Sequence, residues 1–353
     1  MARFAVTGAT GFVGRRVCAD LRAAGHEVWA LVRRQGSAPA GTRELLSTAE
    51  AFADAEGLLR GAAPAVLLHL AGRAHVMAEM LSDPLPAYRR ANRDSTENLA
   101  LAAAAAGVRR MVFVSSVKVL GEGGGAPYTA ASEAAPEDPY GISKWEGEQA
   151  LWSVAARTGL EGVVLRPPLV YGPGVRANFL RLLRLADSAW PLPLGAPSGG
   201  RSMIHVGNLA HALLCAGTHP AAAGGTFLVS DGPALDTGRW VARVRRLLGR
   251  PERLVAVPTA WLTAIANLLG QRALAVRLFA PLEVDDAAIR QQLGWQPPFT
   301  LDTALAETLA WYRERRSRGG EGGSGPPVFP WGPRSWGRDL QPERAGSPGA
   351  CAV

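Results

Sequence analysis

The chain is predicted to be an α/β protein, a doubly wound parallel sheet followed by a smaller carboxy-terminal lobe. Three observations carry that prediction. A short apolar run, Arg3-Phe4-Ala5-Val6-Thr7, passes straight into Gly8-Ala9-Thr10-Gly11-Phe12-Val13-Gly14 and then into helically spaced apolar residues. Further buried-strand runs alternate with helical stretches through the first half of the chain. Beyond that half the alternation turns irregular. We therefore divide the chain into residues 1–166, mainly a dinucleotide-binding domain, residues 167–316, mainly a second lobe with some strands returning to the sheet, and a tail, residues 317–353.

Composition bounds the rest. With 353 residues, 48% hydrophobic and 19% charged, the chain can bury a sizeable core. The net charge of +8 is spread over arginine pairs such as Arg15-Arg16, Arg89-Arg90 and Arg109-Arg110 at the edges of apolar runs. They read as solvated helix and strand ends, not as a nucleic-acid surface. Cys18, Cys215 and Cys351 are odd in number and far apart, so neither a metal site nor a disulfide framework is expected. The first residues run directly into a strand, so no signal peptide and a cytoplasmic location are expected. The apolar stretch Val257–Leu278 is broken by Asn267, Gln271 and Arg272. It reads as an amphipathic helix packed on the second lobe, with a resting place on a membrane or a partner as the alternative, and not as a membrane span.

In order, Arg3–Thr7 is the first strand and Arg15–Ala24 lies in the first helix. The glycines between them permit a tight turn and let the backbone approach a pyrophosphate at the positive end of that helix. Glu27–Val32 is the second strand. It ends in Arg33-Arg34 where an acidic residue would hold the ribose hydroxyls of NAD, so a 2′-phosphate, and NADP(H) over NAD, is favoured. A third strand is expected next, but Thr42–Leu59 reads as loop and helix. Ala65–Leu70 is a buried strand ending in Leu70-Ala71-Gly72, small enough for a cofactor to lie against the backbone. His75 follows in a loop. Tyr88–Ala106 is one long helix carrying Asn92, and Arg110–Ser115 is the next strand, with Ser116 at its end.

Twenty-four residues after Ser116 comes Tyr140-Gly141-Ile142-Ser143-Lys144, opening a helix from Tyr140 to Trp152. Residues four apart share a helix face, so Tyr140 and Lys144 point the same way. A phenol is a poor base at its usual pKa of ~10, and a nearby cation favours the phenolate. Tyr-x-x-x-Lys alone is also a common pair on a solvated helix. A hydroxyl at a strand end, where such sheets bind ligands, converts it into three converging polar groups. Gly162–Leu165 is a strand leading into the rigid Arg166-Pro167-Pro168-Leu169-Val170-Tyr171-Gly172. Arg201–Val206 and Thr226–Ser230 are short strands. Asn178–Leu185, Asn208–Leu214, Thr237–Leu248, Thr259–Leu269 and Leu301–Arg315 are helices. From Ser317 the composition turns to Gly, Pro, Ser and Arg and reads as disordered.

Together these stretches resemble the extended short-chain dehydrogenase/reductase family, in its UDP-glucose 4-epimerase-like, NAD-dependent epimerase/dehydratase branch. The residues carrying the resemblance are Thr7–Gly14, His69-Leu70-Ala71, Ser115-Ser116, Tyr140–Lys144, Arg166-Pro167, Leu293-Gly294-Trp295-Gln296-Pro297 and Trp311-Tyr312. Ser115-Ser116-Val117-Lys118-Val119 and the segment Arg166–Gly174 resemble a bacterial surface-polysaccharide subgroup. The resemblance implies a Rossmann fold, an NAD(P) cofactor, a UDP-sugar substrate and a homodimer. It implies Tyr140 as acid/base at the sugar C4 oxygen, Lys144 as its tuner and ribose contact, and Ser116 as a hydrogen-bonding partner of that oxygen. Gly8, Gly11 and Gly14 would carry the pyrophosphate, and Thr10, Phe12, Val13, Leu70, Ala71, Gly72, Ser115 and Pro167 would also bind the cofactor. Lys118, Asn178 and Arg201 would contact the nucleotide sugar. Val117-Lys118 stand where the family's dehydratases carry Asp-Glu, which argues against a 4,6-dehydratase. Implied activities are a 4-epimerase or a 4-keto reductase; a dinucleotide sensor without catalysis is the alternative.

Overall fold

The structure is a computed structural model that describes residues 1–74, 83–196, 198–268 and 279–317. His75 and the tail from residue 318 lie outside the described residues. Seven parallel strands form the main sheet: β1 Arg3–Thr7, β2 Glu27–Val32, β3 Arg43–Leu46, β4 Val66–His69, β5 Arg110–Val114, β6 Glu161–Arg166 and, after the intervening β7 and β8, β9 Thr226–Leu228. Their order is β3-β2-β1-β4-β5-β6-β9. The reversal between β1 and β4 opens a crevice at the carboxyl ends of the strands.

Side-chain alternation builds two core layers from the same strands. Phe4, Val6, Val66, Leu68, Val112, Val163 and Leu165 face one layer, packed with α1 (Phe12–Ala23) and α7 (Val206–Thr218). Ala5, Leu67, Met111, Phe113 and Val164 face the other, against α2 (Ala55–Ala62), α4 (Ser95–Ala105) and α5 (Pro139–Thr158). Trp295, in the late motif, is fully buried in the first layer.

The third strand is β3, inside the stretch read as loop and helix. Only Leu45 of its four residues is buried, so this edge strand has almost no apolar signature. The long helix expected over Tyr88–Ala106 is also corrected. It is α3 (Leu85–Tyr88), a π-helical segment Arg89–Asp94 and then α4. Ser95 and Thr96 hydroxyls donate to the Ala91 and Asn92 carbonyls across that segment.

A two-stranded parallel sheet, β7 (Leu169–Tyr171) with β8 (Met203–His205), lies beyond β6, with β7 inside the segment expected to be a turn. Helices α6 (Ala177–Ala186) and α8 (Thr237–Leu247) share a separate core with Tyr171, Trp240 and Leu305. Helix α9 (Thr259–Leu268) has no fully buried residue: Thr259, Leu262, Thr263 and Ala266 are half-buried and the rest are exposed, so its packing is shallower than expected; residues 269–278 are outside the described set. Helix α10 (Ala287–Leu293) was not foreseen, and α11 is Leu301–Ser317. Arg16 of α1 ties the first helix to the last described one: its guanidinium donates to Glu307 of α11 and stacks over Phe299.

Candidate active site

The glycine-rich turn is a cradle made by steric exclusion. Gly8 has φ +67, and a Cβ there would lie 2.7 Å from the Ala71 amide nitrogen. A Cβ on Gly14 would lie 2.1 Å from the Gly8 carbonyl oxygen. Gly11 is the N-cap of α1 and has no side chain to cap the first-turn amides, so these face the crevice mouth, where a diphosphate fits them. Thr10, Phe12 and Val13 complete the turn. At the end of β5, Ser115 Oγ is buried without a hydrogen-bond partner among the described residues, a second feature suited to a bound group. Arg33 and Arg34 are exposed just past β2, and neither guanidinium has a described partner.

The segment Leu70-Ala71-Gly72 is held by a polar chain that the sequence reading did not anticipate. Leu70 and Ala71 amides donate to Thr7 Oγ1, at 3.2 and 3.1 Å. That hydroxyl must then donate to His69 Nδ1, 2.8 Å away. His69 Nε2 is left as the donor to Thr96 Oγ1, which donates to the Asn92 carbonyl. The ring is fully buried, and burial, with the Lys144 cation next, pushes its pKa well below the ordinary value, so it is a neutral connector and not a base. Asn92 continues the chain. Its Oδ1 accepts from the Arg73 amide and its Nδ2 donates to Ser143 Oγ, at the start of the second turn of α5.

Helix α5 starts as its sequence demands. Asp138 caps it by accepting from the Gly141 amide, and Pro139 fills the first position. This places Tyr140 and Lys144 against the end of β5. Ser116, following that strand, hydrogen-bonds Tyr140. Lys144 Nζ donates to the Val114 carbonyl at 2.9 Å and lies 4.5 Å from the centre of the Phe113 ring. A Cβ on Gly72 would come within 3.1 Å of that ammonium, so Lys144 reaches the segment expected to line the cofactor.

The protonation picture corrects the expectation that Lys144 alone would pull Tyr140 down. Burial pushes the Tyr140 phenol up to about 12, with the Ser116 hydrogen bond acting in the opposite direction. Burial also lowers Lys144 to about 7, opposed by Glu148. Burial and the Asp138 charge oppose the phenolate here, and the Ser116 hydrogen bond favours it.

The remaining predicted residues are dispersed along the crevice. Pro167 accepts from the Val117 amide at the base of the Ser116 turn. Lys118 pairs with Glu122 and Asp138, so its ammonium is engaged beside Tyr140. Arg201 is half-buried, donates to the Ala280 carbonyl at 2.5 Å and feels the Glu122 charge. Asn178 is exposed on the first turn of α6. Among the described residues no group of His, Cys, Asp and Glu is arranged to hold a metal.

A parallel sheet with a glycine cradle and a Ser/Tyr/Lys set at its carboxyl edge defines a dinucleotide-dependent Rossmann protein. Residues 4–230 match the model of the NAD dependent epimerase/dehydratase family, and the chain belongs to that family. It is 36% identical over 317 residues to a UDP-glucose 4-epimerase of Vibrio cholerae, spanning 89% of this chain and 96% of that one. It is 28% identical over 242 residues to an N-acetyl-alpha-D-glucosaminyl-diphospho-ditrans,octacis-undecaprenol 4-epimerase of Escherichia coli O157:H7, covering 64% of this chain and 72% of that one. Among solved structures, MoeE5 in complex with UDP-glucose and NAD superposes with a TM-score of 0.69 at 25% identity, covering 89% of this chain and 99% of that one.

Proposed function

We propose that the protein is an NAD(P)-dependent 4-epimerase of a UDP-hexose or UDP-N-acetylhexosamine, serving surface-polysaccharide precursor synthesis. The observation that carries the reading is the convergence of Ser116, Tyr140 and Lys144 beside Gly72. Residues 1–166 would hold the dinucleotide and residues 167–316 the nucleotide sugar. The bound nicotinamide supplies reversible hydride acceptance. Tyr140 takes the proton of the C4 hydroxyl and returns it to the C4 oxygen of the 4-keto sugar, whichever face of C4 is reduced. Ser116 holds that oxygen by a hydrogen bond. Lys144, when protonated, stabilises the phenolate. The half-buried Arg201 fork suits the sugar diphosphate, and Lys118 and Asn178 border the sugar. Arg33 and Arg34 support NADP(H) as an accepted cofactor, while the similarity to MoeE5 supports NAD. A homodimer through α4 and α5 accords with the family resemblance and would appear as twice the 37.1 kDa chain mass in light scattering.

The test is NMR of UDP-glucose and UDP-N-acetylglucosamine, each incubated with the protein and NAD or NADP. Interconversion of C4 epimers without net change in reduced-nicotinamide absorbance is expected. Loss of NADPH absorbance on a UDP-4-keto-6-deoxy-hexosamine, with no epimerisation, would replace the epimerase by a 4-keto reductase. Neither signal would favour a dinucleotide sensor.

A further inference from the structure

Helix α9 carries its apolar stripe on the wrong side for a globular helix. Trp261, Ile265 and Leu268 are 69%, 53% and 88% exposed, and their i, i+4, i+7 spacing puts them on one face. Val255 just before the helix is 51% exposed, and Trp190, two residues before the Leu192–Leu254 bridge, is 78% exposed. Of the chain between Glu252 and Glu283, no residue is acidic, whereas Arg253, Arg272 and Arg277 lie within it. Exposed apolar residues with tryptophans, in a stretch whose sequence from Arg253 to Leu282 holds arginines and no carboxylate, form the pattern of a helix lying in a membrane–water interface.

The described residues on either side of α9 pair with Gly195, Gly199, Gly200 and Arg201. Gly195 donates to the Val255 carbonyl, and Gly199 to that of Phe279. Leu282 donates to the Gly200 carbonyl, and Arg201 to that of Ala280. No helix among the described residues is long and apolar enough to cross a membrane.

We propose that α9 docks the protein on an anionic bilayer surface, with the Trp261/Ile265/Leu268 face in the interfacial layer and Arg253 among the lipid phosphates. Charge complementarity points to this occupant, since the stretch from Arg253 to Leu282 carries arginines and no carboxylate. The inference does not depend on which sugar is turned over. It is tested by sedimenting the full chain with vesicles of phosphatidylethanolamine and phosphatidylglycerol, and with vesicles of phosphatidylcholine alone. Binding is expected to the first set, weaker in high salt, and on the order of tenfold weaker for the double variant Trp261→Ser/Leu268→Ser. Arg253→Glu should weaken binding without touching the apolar stripe. Turnover of a soluble UDP-sugar and far-UV circular dichroism should stay unchanged in all variants. Wild-type protein left in the supernatant with both vesicle sets overturns the proposal. So does a halving of solution mass in the double variant, which would give the face to a second copy.

Discussion

The two sides of the crevice each bury an arginine, and they treat it differently. On the sheet side, Arg166 at the end of β6 meets Glu148 of α5 in a bidentate pair with the carboxylate fully buried. On the lobe side, Arg245 of α8 is 1% exposed and meets carbonyls instead: those of Ala186, Ser188, Trp190 and Glu252 accept from it. A charge pair locks two regular elements at fixed separation. A cation gathering carbonyls organises irregular chain that has no ladder of its own. Arg166 thus joins one regular element to another, whereas Arg245 gathers irregular chain; Arg110 of β5 does both, pairing with Glu161 and donating to the Ala216 and His219 carbonyls.

That contrast can be broken or sharpened by experiment. The largest effect should come where the sides meet: Tyr140→Phe is expected to lower kcat by roughly 10²- to 10⁴-fold. Dinucleotide affinity by titration calorimetry should hold, because the cradle is elsewhere. Next, Glu148→Ala strands a buried guanidinium and should destabilise the whole fold by about 3–5 kcal/mol in urea unfolding. Arg245→Met leaves several carbonyls without donors, at about 1–3 kcal/mol each where they stay dry. Its damage should be local, read as new protease cleavage between residues 186 and 190 or 250 and 254. Global unfolding in both variants alike would erase the distinction.

A smaller effect is expected from Arg33→Ser combined with Arg34→Ser. NADP(H) affinity should fall about tenfold with NAD unchanged, as charge-assisted contacts to a 2′-phosphate are lost. The smallest is a pH slope. Lys144 titrates at about 7 in the fold against an ordinary 10.5. Between those values the unfolded chain holds a proton that the folded chain has released, so Lys144 adds stability as pH rises through the window. Lys144→Met should flatten that rise in thermal melts from pH 7 to 10.

The legible parts of this molecule are those whose signal is local. Gly8, Gly11 and Gly14 show a cradle because three missing side chains within one turn admit few other uses. Tyr140 and Lys144 show a shared face because helical spacing alone aligns them. Strand β3 hid because an edge strand with one buried residue lacks a pattern to read. The Thr7–His69–Thr96–Asn92 chain hid because its links join residues far apart in sequence, although a histidine ending a buried strand was a usable hint. The outward face of α9 hid for a related reason: amphipathic spacing tells that a helix has two faces, but not which one the rest of the protein wants.

The Arg16–Glu307 contact has a consequence for how the molecule is made. Arg16 sits two residues beyond Gly14, and its anchor arrives 291 residues later. During synthesis the amino-terminal half emerges first and can form its sheet while the lobe is still unmade. The helix carrying the phosphate cradle, however, gains its outer brace only when α11 has left the ribosome. A nascent chain cut short before Glu307 would therefore carry every motif of the cradle and still lack this brace on the helix behind it.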